Sequence, residues 1–333
     1  MTSSRRQLFG ALLIALGVSP AAAQVKVLVT SVAYQSPFLV APVVLLSSVS
    51  ESGTPTWMVG VAGYTLSATR IMRHSSTLST VIATDVTPLN SNSSNYVYRD
   101  GERDSTLAFR DATVQLNAGV RVSGGEQRSR WGLELRAIAL NESVSRLADA
   151  SVLARWRDPY VGLGIAANYS RVVSDEILAA RWDGMKAAAS VAGFAGARPW
   201  WTSQAWLGVG KRLGRLFLMG RAWVLLGRNL DVVNQHLVGG SWDLDRSPSL
   251  YGYHYAEFRV TRGAVLSAGT DLRLVGAWEL GLRAGYLSSP SHSTYGEAVR
   301  LSTMVRGIGF HVGVGLPRAH TALVFAGVSA AAF

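Results

Sequence analysis

The feature that most constrains this chain is a strict alternation of residue type over positions 112–123. Every even-numbered residue there is Ala, Val or Leu, and every odd-numbered residue is small, polar or charged. Successive side chains of a β-strand point to opposite faces, whereas an amphipathic helix needs apolar residues three and four positions apart. The pattern therefore predicts a strand with one apolar and one polar surface.

The same alternation recurs along the chain, at 131–139, 161–170, 280–286 and 308–315. It also covers residues 253–275, which keep one parity and can form a single long strand. Weaker candidates lie at 57–72, 77–86, 148–157, 187–196, 203–211, 215–228, 297–305 and 321–330. Long polar connections are expected over 90–111, 174–186, 229–248 and 288–297. The chain is predicted to be all-β, an antiparallel up-and-down β-barrel of about twelve strands, with fourteen as the alternative.

The composition favours a barrel whose apolar face touches lipid. Ala, Val and Leu dominate that face, whereas a soluble core needs more Ile and Phe to fill its volume. Charged residues make up only 16% of the chain. Aromatic residues gather near predicted strand ends, as they do at membrane interfaces; they are Trp131, Trp156, Tyr160, Tyr169, Trp200, Trp201, Trp278 and Tyr286. A soluble periplasmic β protein with these residues in its core is the alternative.

Residues 1–23 are predicted to be a signal peptide. Arg5 and Arg6 precede an apolar stretch, and three Ala residues at 21–23 provide a cleavage site. The paired arginines are also similar to a twin-arginine signal, which would suit the soluble alternative. Residues 24–54 are expected to be a lead-in, a plug or a first strand, and residues 55–333 the barrel.

Together, the export signal, the alternating segments, the absence of Cys and the terminal Phe333 resemble the Gram-negative outer-membrane β-barrel proteins as a class. The resemblance covers about residues 55–333. It implies a location in the cell outer membrane after signal-peptide cleavage, in contact with outer-membrane lipid and lipopolysaccharide. It also implies the barrel-assembly machinery as a partner, because Phe333 is similar to the terminal residue which that machinery reads.

Charged residues on the predicted polar face are the candidate pore lining. An excess of arginine in a lumen would favour anions, whereas pairing with carboxylates across strands would instead fill a rigid barrel. The candidates are Arg121, Arg136, Arg221, Arg259, Arg273, Arg283, Glu134, Glu257 and Asp271.

The predicted function is that of a porin-like channel or an export-assisting barrel for small solutes, with anions preferred. An outer-membrane lipid hydrolase or acyltransferase, or a structural or adhesion barrel, are the alternatives. An enzyme is less favoured than a non-enzymatic barrel, because no catalytic residues, cofactor motif or metal ligands stand out. The net charge of +11 is spread over the strands rather than clustered, so nucleic-acid binding is not expected.

Overall fold

A computed structural model describes residues 23–30, 41–49, 55–62, 65–99, 102–126, 128–146, 157–176, 181–240, 248–254, 256–305, 308–318 and 322–330. The signal peptide proposed for residues 1–23 falls, apart from its last residue, outside the described residues, and so does the terminal Phe333. No helix in the described ranges is long and apolar enough to span a bilayer.

Eighteen strands make up the regular structure of these described ranges. In chain order they are β1 Ala23–Thr30, β2 Ala41–Val49, β3 Pro55–Ala62, β4 Thr65–Arg73, β5 Leu78–Arg99, β6 Glu102–Glu126, β7 Ser129–Arg146, β8 Tyr160–Glu176, β9 Arg181–Ala195, β10 Trp200–Leu213, β11 Leu216–Arg228, β12 His236–Val238, β13 Phe258–Val260, β14 Gly263–Arg273, β15 Trp278–Ser288, β16 Ser293–Val305, β17 Ile308–Pro317 and β18 Leu323–Ala330.

Sixteen of these strands form one antiparallel sheet, in which each strand pairs with the next along the chain. The exception is that β11 pairs directly with β14, so that β12 and β13 form a separate two-stranded sheet. The up-and-down, all-β architecture predicted from the alternation is therefore confirmed. Residues 55–330 contribute fourteen strands, which is the alternative count; the preferred count of twelve is wrong. Strands β1 and β2 lie in the stretch 24–54 and raise the total to sixteen.

The connections differ between the two ends of the strands, which are called edges here. At one, called here the turn edge, two residues join β10 to β11 and four join β14 to β15. At the other, the loop edge, the long stretch between β11 and β14 leaves the sheet. Short turns face the periplasm and longer loops the exterior in outer-membrane barrels.

Three of the predicted polar connections are largely strand in the structure. Residues 90–111 continue the β5–β6 hairpin, residues 174–186 fall mostly in β8 and β9, and 288–297 contains only a four-residue turn. Cross-strand hydrogen bonds maintain these strands beyond the apolar stretches, because β-pairing depends on neighbours more than on local residue type.

The alternation has the expected sense in the structure. Leu163 and Ile165 of β8 point outward and are 65% and 51% exposed, whereas Asn117 of β6 points inward and is 5% exposed. Outward aromatic residues lie at both edges, with Trp131 and Trp278 toward the turn edge.

At the loop edge the outward aromatic residues include Trp201 and Tyr286. From Trp278 to Tyr286, β15 runs for eight residues, or about 26 Å along the strand. A tilt of roughly 40° reduces this to a height of about 20 Å, close to the apolar band of outer-membrane barrels. Tyr160 and Trp200 were expected in this belt, but both point inward and are buried.

The sheet is strongly curved, as contacts between distant strands show. Arg181 of β9 donates from Nη1 to Glu279 Oε2 of β15 at 2.7 Å. Four strand spacings separate β9 from β15 in the sheet order, which would be about 19 Å if the sheet were flat. The inward face must therefore be concave for these two side chains to meet.

Candidate functional site

The candidate site is the interior of the curved sheet together with the chain that enters it. Between β11 and β14 the chain leaves the loop edge and returns to it; the described residues of this stretch, 229–240, 248–254 and 256–262, are called here the interior segment. Asn229 makes the inward turn with φ 57° and donates from Nδ2 to the Pro199 carbonyl at 3.0 Å. The next residue, Leu230, is buried against Trp200. The polar connection expected over 229–248 is thus a structured element over its described residues 229–240 and 248.

The interior segment packs a hydrophobic core against the inward face of the sheet. The segment contributes Val238, Leu250, Tyr253 and Val260, and the sheet contributes Trp223, Leu225, Val265 and Leu287. Each of these eight side chains is at most 2% exposed. Such burial is typical of a soluble protein core and indicates that water is excluded from this part of the lumen.

The expectation that residues 253–275 form one strand is wrong for the same reason. Phe258 and Val260 belong to β13, which pairs with β12 inside the lumen, and β14 begins only at Gly263. The parity persists across the break because even-numbered residues are apolar in both halves. Val260 packs in the core of the lumen, whereas Leu266 and Leu272 point outward and are exposed.

The tip of the interior segment lies against two barrel strands, β16 and β17, through glycine contacts. A Cβ at Gly296 of β16 would lie 2.0 Å from the Tyr251 carbonyl oxygen, and one at Gly315 of β17 would lie 2.4 Å from the Gly252 Cα. Gly252 itself has φ 84°, a conformation that favours glycine. The tip is further fixed by the Tyr253 hydroxyl, which donates to the Tyr295 carbonyl at 3.0 Å.

The same segment also reaches the opposite side of the barrel. The Arg259 guanidinium lies 5.1 Å from the centre of the Phe109 ring of β6. His254 stacks on Tyr98 of β5 with ring centres 4.8 Å apart, and Asn234 donates to Glu142 Oε2 of β7 at 3.2 Å.

Strands β6 and β16 are eight places apart in the sixteen-stranded order. A segment that touches both therefore crosses the lumen from wall to wall. It occupies the loop-edge half of the barrel interior.

His236 on β12 is a titratable group at the base of the segment. Its Nε2 lies 3.0 Å from the Leu226 carbonyl oxygen and 3.3 Å from the Thr202 hydroxyl. Burial lowers the pKa of His236, and the hydrogen bond to Leu226 offsets part of that effect. The neutral imidazole is therefore the form that suits the docked segment.

A charged cluster, called here the arginine cluster, fills the lumen nearer the turn edge. Asp271 of β14 is 1% exposed. Its carboxylate lies 2.9 Å from Arg283, 3.3 Å from Arg300 and 3.5 Å from Arg181. One buried carboxylate thus links β9, β15 and β16.

The structure places seven of the nine predicted lining residues on the inward face of barrel strands, and the other two elsewhere. Glu257 and Arg259 belong to the interior segment, where Glu257 accepts a hydrogen bond from the His254 backbone at 2.7 Å. The seven wall residues are Arg121, Glu134, Arg136, Arg221, Asp271, Arg273 and Arg283.

Four of these seven residues lie on β11, β14 and β15, and three lie on β6 and β7. Asp271 and Arg283 belong to the arginine cluster, which Arg273 approaches through Glu279 at 3.7 Å. Arg221 is buried with its guanidinium 4.8 Å from the Trp182 ring centre. The remaining three lie together on another wall.

That other wall, formed by β6 and β7, is polar and accessible to water. Arg121 faces Glu134 directly across the two strands and is exposed. Glu134 also pairs with Arg136, whose side chain is 42% exposed. Inward-facing yet exposed side chains indicate an aqueous space beside this wall.

Sequence reasoning missed Arg181, Glu279 and Arg300, which complete the arginine cluster. Arg181 lies in a stretch interpreted as a loop. Arg300 lies in β16, where the outward position of Glu297 breaks the apolar pattern. A parity count that tolerated one outward acidic residue would have placed Arg300 on the inward face.

The fold can now be compared with known proteins. No family model matches the chain, and no curated protein matches its sequence. Among solved structures, BamA from Haemophilus ducreyi lacking POTRA domains 1–3 is 8% identical with a TM-score of 0.62, over 94% of this chain and 70% of that one. CdiB from Acinetobacter baumannii is 8% identical with a TM-score of 0.54, over 92% of this chain and 59% of that one.

CdiB from Escherichia coli is also similar, with 14% identity, a TM-score of 0.52 and coverage of 95% of this chain and 64% of that one. The chain thus spans about three fifths of the CdiB structures that it matches. Identities this low are informative about the fold alone. The chain has the fold of the Gram-negative outer-membrane β-barrel proteins, as its sequence predicts.

Proposed function

We propose that this chain is an outer-membrane transport barrel of the export-assisting kind, closed at rest by the interior segment. The observation that carries the proposal is that described residues of the interior segment contact both β6 and β16, on opposite sides of the lumen. An open porin-like pore needs an unobstructed lumen, whereas here eight side chains form a dry core inside it. The similarity to the BamA and CdiB barrels supports a transport role of this general kind.

The path for small solutes would run beside the β6–β7 wall once the interior segment moves. Among the inward side chains of that wall that water reaches, Arg121 and Arg136 outnumber Glu134, since Glu142 is buried, and charged rings set the selectivity of pores. Small anions are therefore the solutes that the opened lumen would favour. The arginine cluster is paired through Asp271 and holds the opposite wall rigid.

The proposed location is the outer membrane, after removal of residues 1–23. Outward Leu, Val and Ile side chains between two aromatic belts suit a hydrocarbon layer. The barrel-assembly machinery is the proposed partner for insertion.

Single-channel recording in planar bilayers tests the closed-barrel proposal. The wild-type protein should show little steady current. Replacing residues 231–261 by a short Gly-Ser linker should give a stable pore, because β11 and β14 pair with each other without the segment. The matched control replaces residues 274–277, the β14–β15 turn at the turn edge, by Gly and Ser; it leaves every contact of the interior segment in place and should stay closed. Equal currents from wild type and deletion would remove the proposal.

Ion selectivity of the segment-deleted pore tests the solute class. Changing Arg121 and Arg136 to Gln should shift the reversal potential toward cations in a salt gradient. Changing Arg128 and Arg215, which are exposed at the turn edge, removes the same charge outside the lumen and should shift it less. An unchanged potential would reject the preference for anions while leaving the closed-barrel proposal intact.

A further inference from the structure

The loop edge of β10, β11 and β14 carries three arginines that have not been used so far. Arg198 lies in the β9–β10 turn, Arg228 ends β11, and Arg262 immediately precedes β14. All three are exposed. They are called here the rim arginines, and none of them pairs with a carboxylate of the described residues.

Backbone pairing brings the rim arginines close together. Arg228 pairs with Trp201 of β10. Ala264, two residues after Arg262, pairs with Val224 of β11, which places Arg262 beside Leu226. Adjacent strands are about 4.8 Å apart, so Arg228 and Arg262 are near neighbours on the outward surface. The hydrogen bond from Asn229 to Pro199 holds the turn that bears Arg198 against the same rim.

Below these arginines, the outward surface has an apolar groove of about 480 Å³. Its floor is formed by Gly220, Ala268 and Ala284, small residues directly paired across β11, β14 and β15. It is called here the lipid-facing groove, and its sides are Leu207, Val209, Leu266, Tyr286 and Tyr295. The volume lies within the range of small-molecule sites.

The charged residues around the groove favour one orientation of a bound amphiphile. Glu297 forms the end of the groove on β16 and would repel an anion. The rim arginines lie toward the opposite side, near the aromatic Trp201. Arg228 and Ala222 are six residues apart on β11, or about 20 Å along the strand. An amphiphile with its anionic group at the rim therefore places its hydrocarbon over the groove.

We propose that the rim arginines and the lipid-facing groove form a binding site for a phosphate-bearing glycolipid of the outer leaflet, of the lipid A type. The guanidinium groups bind the phosphate through paired N–H donors, and an acyl chain lies on the Gly–Ala floor. The site rests on the proposed outer-membrane location. It is separate from the lumen, so that lipid binding and conductance are measured independently.

The test measures lipid binding to the purified full-length protein in phosphatidylcholine nanodiscs. Bisphosphorylated lipid A is the probe, dephosphorylated lipid A and phosphatidylethanolamine are comparison lipids, and inorganic phosphate is the soluble competitor. Lipid A should bind and weaken as salt is raised. The comparison lipids should bind far more weakly, and inorganic phosphate should compete only at much higher concentration.

Changing Arg198, Arg228 and Arg262 together to Gln should weaken lipid A binding roughly 100-fold, since each basic residue at an anionic surface contributes about fivefold. The matched control changes Arg128, Arg171 and Arg215 to Gln; these are exposed at the turn edge and should leave affinity within about twofold. Heat-modifiable mobility on a gel confirms that both variants are folded.

Filling the groove tests the acyl-chain part of the site. Ala268→Phe should weaken lipid A binding, whereas Ala139→Phe, on an outward position of β7, should not. The site is rejected if the rim variant binds lipid A as tightly as its control. It is also rejected if dephosphorylated lipid A binds equally well, or if inorganic phosphate competes as effectively as the lipid.

Discussion

At the scale of single residues, the interior depends on one carboxylate. The Asp271 carboxylate lies within ion-pair distance of three guanidinium groups that come from different strands. A buried ion pair adds little net stability, but removing one partner leaves charges unpaired in a region with little water. The arginine cluster should therefore be sensitive to loss of Asp271 in a way that surface charges are not.

Asp271→Asn is expected to lower the free energy of unfolding by about 3–5 kcal/mol. Asp158→Asn, at an exposed position between β7 and β8, should change it by less than about 0.5 kcal/mol. Urea-induced unfolding in phospholipid vesicles measures both. Equal stability of the two variants would show that the cluster is not structurally important.

A second residue-scale prediction concerns the glycine contacts of the tip. A methyl group at Gly296 meets the Tyr251 carbonyl at 2.0 Å, so Gly296→Ala should displace the tip of the interior segment. Gly193→Ala is the control, because an added Cβ there has no neighbour within 4 Å. The expected result is faster proteolytic cleavage of residues 229–262 and more frequent channel openings for Gly296→Ala alone.

Residue positions on the inward face were predictable where the alternation is regular, as for Arg121, Arg136 and Arg283. The partners of those residues were not predictable. Contact between Arg181 and Glu279 depends on how far the sheet curves, and curvature is a property of the whole set of strands.

At the scale of elements, the interior segment is the feature that sequence periodicity could not separate from the barrel wall. Residues 258–260 and 263–273 share one parity, and a period of two records only that alternate residues are buried. The sequence pattern is the same if the apolar side chains are covered by lipid, by the interior segment or by the opposite wall. The Gly and Pro residues between 239 and 252 were the available signal for a structured excursion.

The docking of the interior segment should depend on pH through His236. Burial lowers the pKa of His236 in the docked state, so below the ordinary histidine pKa of about 6.5 the undocked state takes up a proton more readily. Docking is then unaffected above about pH 7 and weakens as the pH falls.

Channel openings of the wild type should accordingly increase between about pH 7 and pH 5. His236→Gln keeps a donor for the Leu226 carbonyl and should flatten this dependence. His74→Gln, at an exposed position in the β4–β5 turn, should retain it. A dependence that survives in His236→Gln would assign the effect to other groups.

At the scale of the whole molecule, the question is which solvent the outward face meets. The class of fold followed from the alternation, because a period of two indicates strands, and among strand structures only a closed barrel satisfies the backbone while exposing an apolar face to lipid. The number of strands did not follow, since polar stretches such as 90–99 are paired in the sheet despite their composition.

Ile165→Arg tests the outward face directly. Ile165 is 51% exposed and lies midway along the outward residues of β8. In a bilayer the substitution should cost about 2–4 kcal/mol of folding free energy. Val275→Arg, at a turn residue that is 85% exposed, should cost close to nothing. Had Ile165 faced water, the two changes would be equally tolerated, as unfolding in vesicles would show.

The direct pairing of β11 with β14 has a consequence for how such a molecule can change. Strands β11 and β14 are hydrogen-bonded to each other directly where the interior segment leaves the sheet. Replacing or lengthening that segment therefore leaves the pairing register of the sheet unchanged. A change confined to the interior segment can thus alter which solutes pass, and how open the lumen is at rest, without any change in the sixteen-stranded sheet.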